Sequence, residues 1–279
     1  FRPHLGEAIV IMLTLAFLRV DPVELRRHWT RPGLIAAATV WTMLILPAVL
    51  GMLFLAFKLD QTMPGLYFML VLQMSAPGLM SSPALAALLG LDVALTLATL
   101  IVATAITPFT ASLFTHVFLG TALASPLEFG FRLFLIIVGC ALAAAVIRLI
   151  AGGKFIEAQR GAIDGLSVIA MSMFAVAAMD GGMDHFRADP GLVIKLTALA
   201  FLIALASIAV TAIVFQRAGR ARAFAIGLIA GNRNVGLMLA ATGFAIPDIA
   251  WLYFAVAQFP IYLLPHLLRP LARRLSAKR

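Results

Sequence analysis

Three strongly polar residues, Asn232, Arg233 and Asn234, stand between Gly231 and Gly236 in a stretch that is otherwise apolar. A guanidinium brings five donors in a planar fork, and each carboxamide brings donors and an acceptor. Such a set can hold a carboxylate or a sulfate, or it can satisfy carbonyls where a helix unwinds. A second stretch, Gln73 to Pro83, carries Pro77-Gly78 and then Pro83 among Ser75, Ser81 and Ser82. Its prolines delete backbone donors and favour unwinding. Thr96 and Thr99 follow it and add hydroxyls, although a threonine in a membrane helix commonly bonds back to its own turn. Gln73, Ser81, Ser82, Thr96, Thr99, Asn232, Arg233 and Asn234 are therefore the candidate substrate-binding residues. The sequence contains no H-E-x-x-H, no G-x-S-x-G and no pair of acids deep in apolar runs, which argues against an enzyme. The single cysteine, Cys140, lies in an apolar run, so neither a disulfide framework nor a thiolate metal cluster is expected.

The elements that must position these residues follow from composition. Of the 279 residues, 63% are hydrophobic and 12% charged, against about 25% charged in a soluble domain. Apolar runs at about 5–20, 33–57, 65–91, 93–119, 127–150, 160–181, 190–216, 222–246 and 248–268 predict an all-α polytopic membrane protein with nine spans, each crossing about 30 Å of hydrocarbon. No run alternates as a β-barrel strand would. The net charge of +9 would point a soluble protein to nucleic acid, but here it reads as basic loops. With the N-terminus outside, 15 of the 21 basic residues fall on the cytoplasmic side. They cluster at Arg19 to Arg31, at Arg148 to Arg160, at Arg217 to Arg222 and from Arg269 to the end. Contact with anionic lipid is expected and a nucleic-acid partner is not. A plasma membrane of bacterial inner-membrane type is the expected location, with a monomer or weak homodimer as the assembly.

Arg233 lies eleven residues inside the cytoplasmic end at Arg222, or ~16 Å at the helical rise, near the bilayer centre. A charge at that depth costs at least ~2.5 kcal/mol. The two interrupted segments are the third and eighth of nine. With one leading helix added they become the fourth of each of two five-helix repeats, and an odd repeat forces the second to be inverted. Broken helices at matching places in inverted repeats point to a midplane site in a secondary transporter.

At these residues the chain resembles the bile acid:sodium symporter family, within the bile/arsenite/riboflavin transporter superfamily. That family's first broken helix reads approximately P-G-G-x-x-S-N, followed by a Gly-Asp turn; Pro77-Gly78, Ser82 and Gly90-Leu91-Asp92 keep that order. Its second reads approximately E-x-G-x-Q-N-x-x-L, and Gly231, Asn234 and Leu237 match. The resemblance implies a panel domain, a core domain in which the two broken helices cross, and organic-anion substrates. Some members have nine spans and lack the first helix. On this reading residues 1–32 form the first panel helix and a cytoplasmic loop, and 33–119 the first core half. Residues 120–189 form further panel helices and 190–279 the second core half, with the breaks inside 65–91 and 222–246.

The sequence departs from the family where sodium would bind. Ile229 stands for the glutamate, Arg233 for the glutamine, Pro83 for an asparagine and Thr42 for a further glutamine. Only the hydroxyls of Ser82, Thr96 and Thr99 remain as weak sodium candidates, and no other cofactor is expected. A sodium ion would lack its carboxylate and be repelled by a guanidinium. The expectation is a transporter of a small organic anion, with Arg233 as a fixed cation in place of sodium. A structural ion pair between Arg233 and Asp164 is the alternative for that residue. A sodium-coupled symporter of bile-acid type, and a channel or receptor-like scaffold, are the alternatives for the whole chain. Arsenite efflux is disfavoured because Cys140 lies outside the first break. Asp92 is expected to cap a helix, His116 and His266 to be interfacial, and Asp180 and Asp184 to lie in an outer loop.

Overall fold

Proline and capping residues set where the helices begin. In the computed structural model, which describes residues 5–20, 31–120, 125–178 and 188–276, Pro32, Pro64, Pro126 and Pro190 each stand at the first helical position or next to it. The missing N–H costs nothing there. Asp92, Ser125 and Asp189 accept the N–H of the residue three places on, closing three helix N-termini.

The order is α1 (Leu5–Leu18), α2 (Pro32–Ala56), a single turn α3 (Leu59–Thr62), α4 (Pro64–Ser75), α5 (Ser82–Leu88) and α6 (Val93–Leu119). Then come α7 (Pro126–Ala151), α8 (Gly153–Ala158), α9 (Arg160–Ala178) and α10 (Pro190–Val214). The chain closes with α11 (Arg220–Gly231), α12 (Val235–Thr242), α13 (Asp248–Leu267) and α14 (Arg269–Ser276). Among the described residues every element is helical, and five helices (α2, α6, α7, α10 and α13) are long and apolar enough to cross a membrane. The protein is an all-α membrane protein. Its third and eighth apolar runs are each split into two short helices, α4 with α5 and α11 with α12. Asp180 and Asp184, and the arginines at 26 and 27, lie outside the described residues.

Large apolar side chains face outward on the long helices: Leu149 is 84% exposed and Leu127 80%, a surface for lipid rather than water. Inside, α4, α12 and α13 share the main core through Leu70, Met238 and Phe254. Helix α1 packs on α7 and α9, while α10 lies against α11 and α13. The approach of α10 to α11 depends on Gly227 and Gly231. A Cβ at Gly227 would fall 2.8 Å from the Ile208 carbonyl oxygen, and one at Gly231 2.5 Å from Ile208 Cγ1. The G-x-x-x-G face of α11 thus meets α10.

Candidate functional site

Both breaks are local consequences of sequence. Helix α4 stops because Ala76 precedes Pro77 and takes an extended conformation, φ −68° and ψ 148°, which the proline ring favours. Helix α11 stops at Gly231, and Asn232 is extended at φ −106° and ψ 98°. The two extended segments then find each other. Gly78 and Arg233 form an antiparallel bridge: the Leu79 N–H donates to the Asn232 carbonyl at 2.8 Å, and the Asn234 N–H donates to the Pro77 carbonyl at 2.8 Å. In hydrocarbon an unwound backbone has no water to turn to, so each break satisfies the other. Gly78 lets the segments approach, since a Cβ there would come within 2.6 Å of Ile229 Cγ2.

Arg233 is buried at this bridge and its guanidinium goes to backbone oxygens. Nε donates to the Ala230 carbonyl at 2.8 Å, Nη1 to the Ala76 carbonyl at 2.9 Å and Nη2 to the Thr42 carbonyl at 3.0 Å. Two of these acceptors have lost their helical donors for reasons visible in the chain. The ordinary donor to Ala230 is the Asn234 N–H, which is spent on Pro77. Thr42 lies in a π-helical turn, Trp41–Ile45, where the Leu46 N–H reaches back to Trp41 instead; the next residue is Pro47, which has no N–H. The indole of Trp41 donates to Thr211 Oγ1 at 2.9 Å, tying that turn to α10. The C-terminal ends of α4 and α11, each carrying about half a negative charge, thus converge on one guanidinium. Among the described residues Arg233 has no ion pair. Asp164 is bonded at 2.8 Å to Arg19 instead.

The remaining candidates separate. Asn234 caps α12, accepting the Leu237 N–H at 3.2 Å. Arg233, Asn234 and Ser81 border a cavity of about 430 Å³. It is walled by α1 and α9 on one side and by α5, α12 and α13 on the other. Gln73 lies across the crossing, in a small void of about 10 Å³ that also touches Arg233 and Ser207, with its amide beside Tyr253. Thr96 bonds back to the Asp92 carbonyl at 2.8 Å. Asn232, Ser82 and Thr99 are buried and border none of these spaces; among the described residues the Asn232 amide, Ser82 Oγ and Thr99 Oγ1 have no bonded partner.

Sequence reading passed over Arg19, Gln258, Tyr262 and His266, which also border the cavity. Arg19 and His266 read from sequence as span-end residues, and only tertiary packing brings them to the cavity. A second, wider cleft of about 1050 Å³ opens among Asp60, Tyr67, Glu128, Arg132 and Asp248. Helix α12 separates the two spaces: Val235 and Gly236 border the first, Ala241 and Thr242 the second. The chain matches no model of a known protein family, and a search of curated proteins finds no match.

Proposed function

We propose that this chain is a secondary transporter that moves a small organic anion by alternating access, with the Arg233 guanidinium in place of a coupling sodium ion. One observation carries the reading: a buried, positively charged side chain holds together two broken helices that bond to each other, with a cavity on one side and a cleft on the other. A fixed charge in a low-dielectric site attracts an anion without being paired to it. The carbonyls gathered there would suit a metal cation, but the guanidinium already occupies them.

On this proposal the chain has nine spans, N-terminus outside and C-terminus in the cytoplasm, arranged as a ten-helix inverted repeat without its first helix. That is the fold implied by the resemblance to the bile acid:sodium symporter family. Helices α1, α7 and α9 would form the panel, and the crossing would rock against it with α12 as the moving barrier. The apolar walls of the cavity accept the body of the substrate, and lipid is the other partner.

Uptake of labelled small carboxylates and of taurocholate into proteoliposomes tests this. Saturable uptake that is unchanged when sodium is replaced by potassium is expected, and Arg233→Gln should abolish it or make it respond to sodium. Strict sodium dependence with Arg233 intact would overturn the surrogate-cation reading.

A further inference from the structure

Arg233 directs Nε, Nη1 and Nη2 each to a carbonyl, so three of its five donors are spent on the crossing. The cavity contains a second arginine whose fork is half used. Arg19, at the end of α1, donates Nη2 to Asp164 Oδ1 at 2.8 Å, and its Nε is buried without an acceptor among the described residues. The Nε and Nη2 edge of a guanidinium is one that a carboxylate or sulfonate grips through two parallel bonds. Asp164 engages one of them. The Asp164 side chain is 57% exposed and that of Arg19 27%, so the carboxylate returns to water at little cost when displaced. Ile261, Tyr262 and Pro265 of α13 line the same cavity, a largely apolar surface for the rest of a bound molecule. The Arg148 guanidinium caps the end of α1 by donating to the Leu18 carbonyl at 2.9 Å, which holds Arg19 in place.

We propose that Arg19 is the side chain that takes the anionic group of the transported molecule, with Asp164 as a resting counter-ion that the incoming anion displaces. Arg233 then holds the crossing, and Arg19 selects for charge. The inference rests on the organic-anion reading above.

The test is binding of 2-naphthoate and its neutral analogue 2-naphthamide to the full chain in lipid nanodiscs, with empty nanodiscs as the blank. Wild type should favour naphthoate. Arg19→Gln should weaken naphthoate at least tenfold and leave naphthamide unchanged, while Asp164→Asn should tighten naphthoate severalfold by removing the competitor. Opposite signs for the two variants separate an exchangeable pair from a structural one. The Asp164→Asn gain stands as evidence even if Arg19→Gln fails to fold. Equal weakening by both variants, or no change in either, would overturn the role of Arg19 and leave the transporter reading intact. Failure of wild-type protein to prefer naphthoate would overturn the organic-anion reading and this one with it.

Discussion

The two broken helices fail for different reasons, and the difference is what joins them. The first break is made by subtraction. Pro77 removes a donor, Gly78 removes a side chain, and carbonyls at Pro77 and Ala76 are left for partners across the crossing, while Pro83 starts the next helix. The second break is made by addition, since Arg233 brings a side-chain donor group to the crossing. Both halves leave carbonyls open, at Ala76 and at Ala230, and only the second supplies the side chain that meets them. A pair of identical breaks would leave both in want of the same partner, a role that a bound cation fills where the sequence offers none. Here the complement is covalent to the chain.

Removing the donor side should have the largest effect. Arg233→Met strips three buried carbonyls of their partner, and at about 1 kcal/mol or more for each orphaned acceptor the loss should exceed about 3 kcal/mol. Reversible unfolding in mixed detergent reads it; a loss below about 1 kcal/mol would mean that the carbonyls find other donors. Next is Gly78→Ala, whose Cβ would meet Ile229 Cγ2 at 2.6 Å; about 1–3 kcal/mol of overpacking is expected. Combining it with Ile229→Ala should cost less than the sum of the single changes, and strict additivity would show that the two do not clash.

The acceptor side can be sharpened at Pro47. Pro47→Ala restores an N–H to the turn after Thr42, and by itself should shift stability by no more than about 1 kcal/mol. In the Arg233→Met background it should recover part of the loss, since the Thr42 carbonyl or its neighbour gains a donor. The smallest effects distinguish the two asparagines. Asn234→Ala removes the cap on Leu237 and should cost about 1 kcal/mol. Asn232→Leu replaces an amide with no bonded partner among the described residues and should be neutral or stabilising on the same assay.

Much of the site was legible as a set of places. The breaks fall inside the third and eighth apolar runs because proline and glycine act on their own turn. The depth of Arg233 follows from counting residues inward from Arg222. The Asp92 cap on α6 was legible for the same reason, as was the back-bonding of Thr96, both being contacts within four residues. The destination of the guanidinium was not legible. Its farthest acceptor, Thr42, is 191 residues away. The ion pair of Asp164 with Arg19 rather than Arg233 likewise depends on how α1 lies on α9. Arg19 looked like one more topology-setting charge until packing made it a wall of the cavity.

The chain alone therefore determined that the protein is a helical membrane protein, where its helices break, and that one cation sits at the depth of a break. Apolar run length, proline's missing N–H and glycine's missing Cβ act within a few residues. Tertiary structure alone decided that the breaks bridge each other through Gly78 and Arg233, and that the guanidinium meets carbonyls rather than a carboxylate. It also decided that Arg19 lines the cavity. A hydrogen bond in hydrocarbon is made with whatever group packing brings within 3 Å, and sequence separation has no say in that distance.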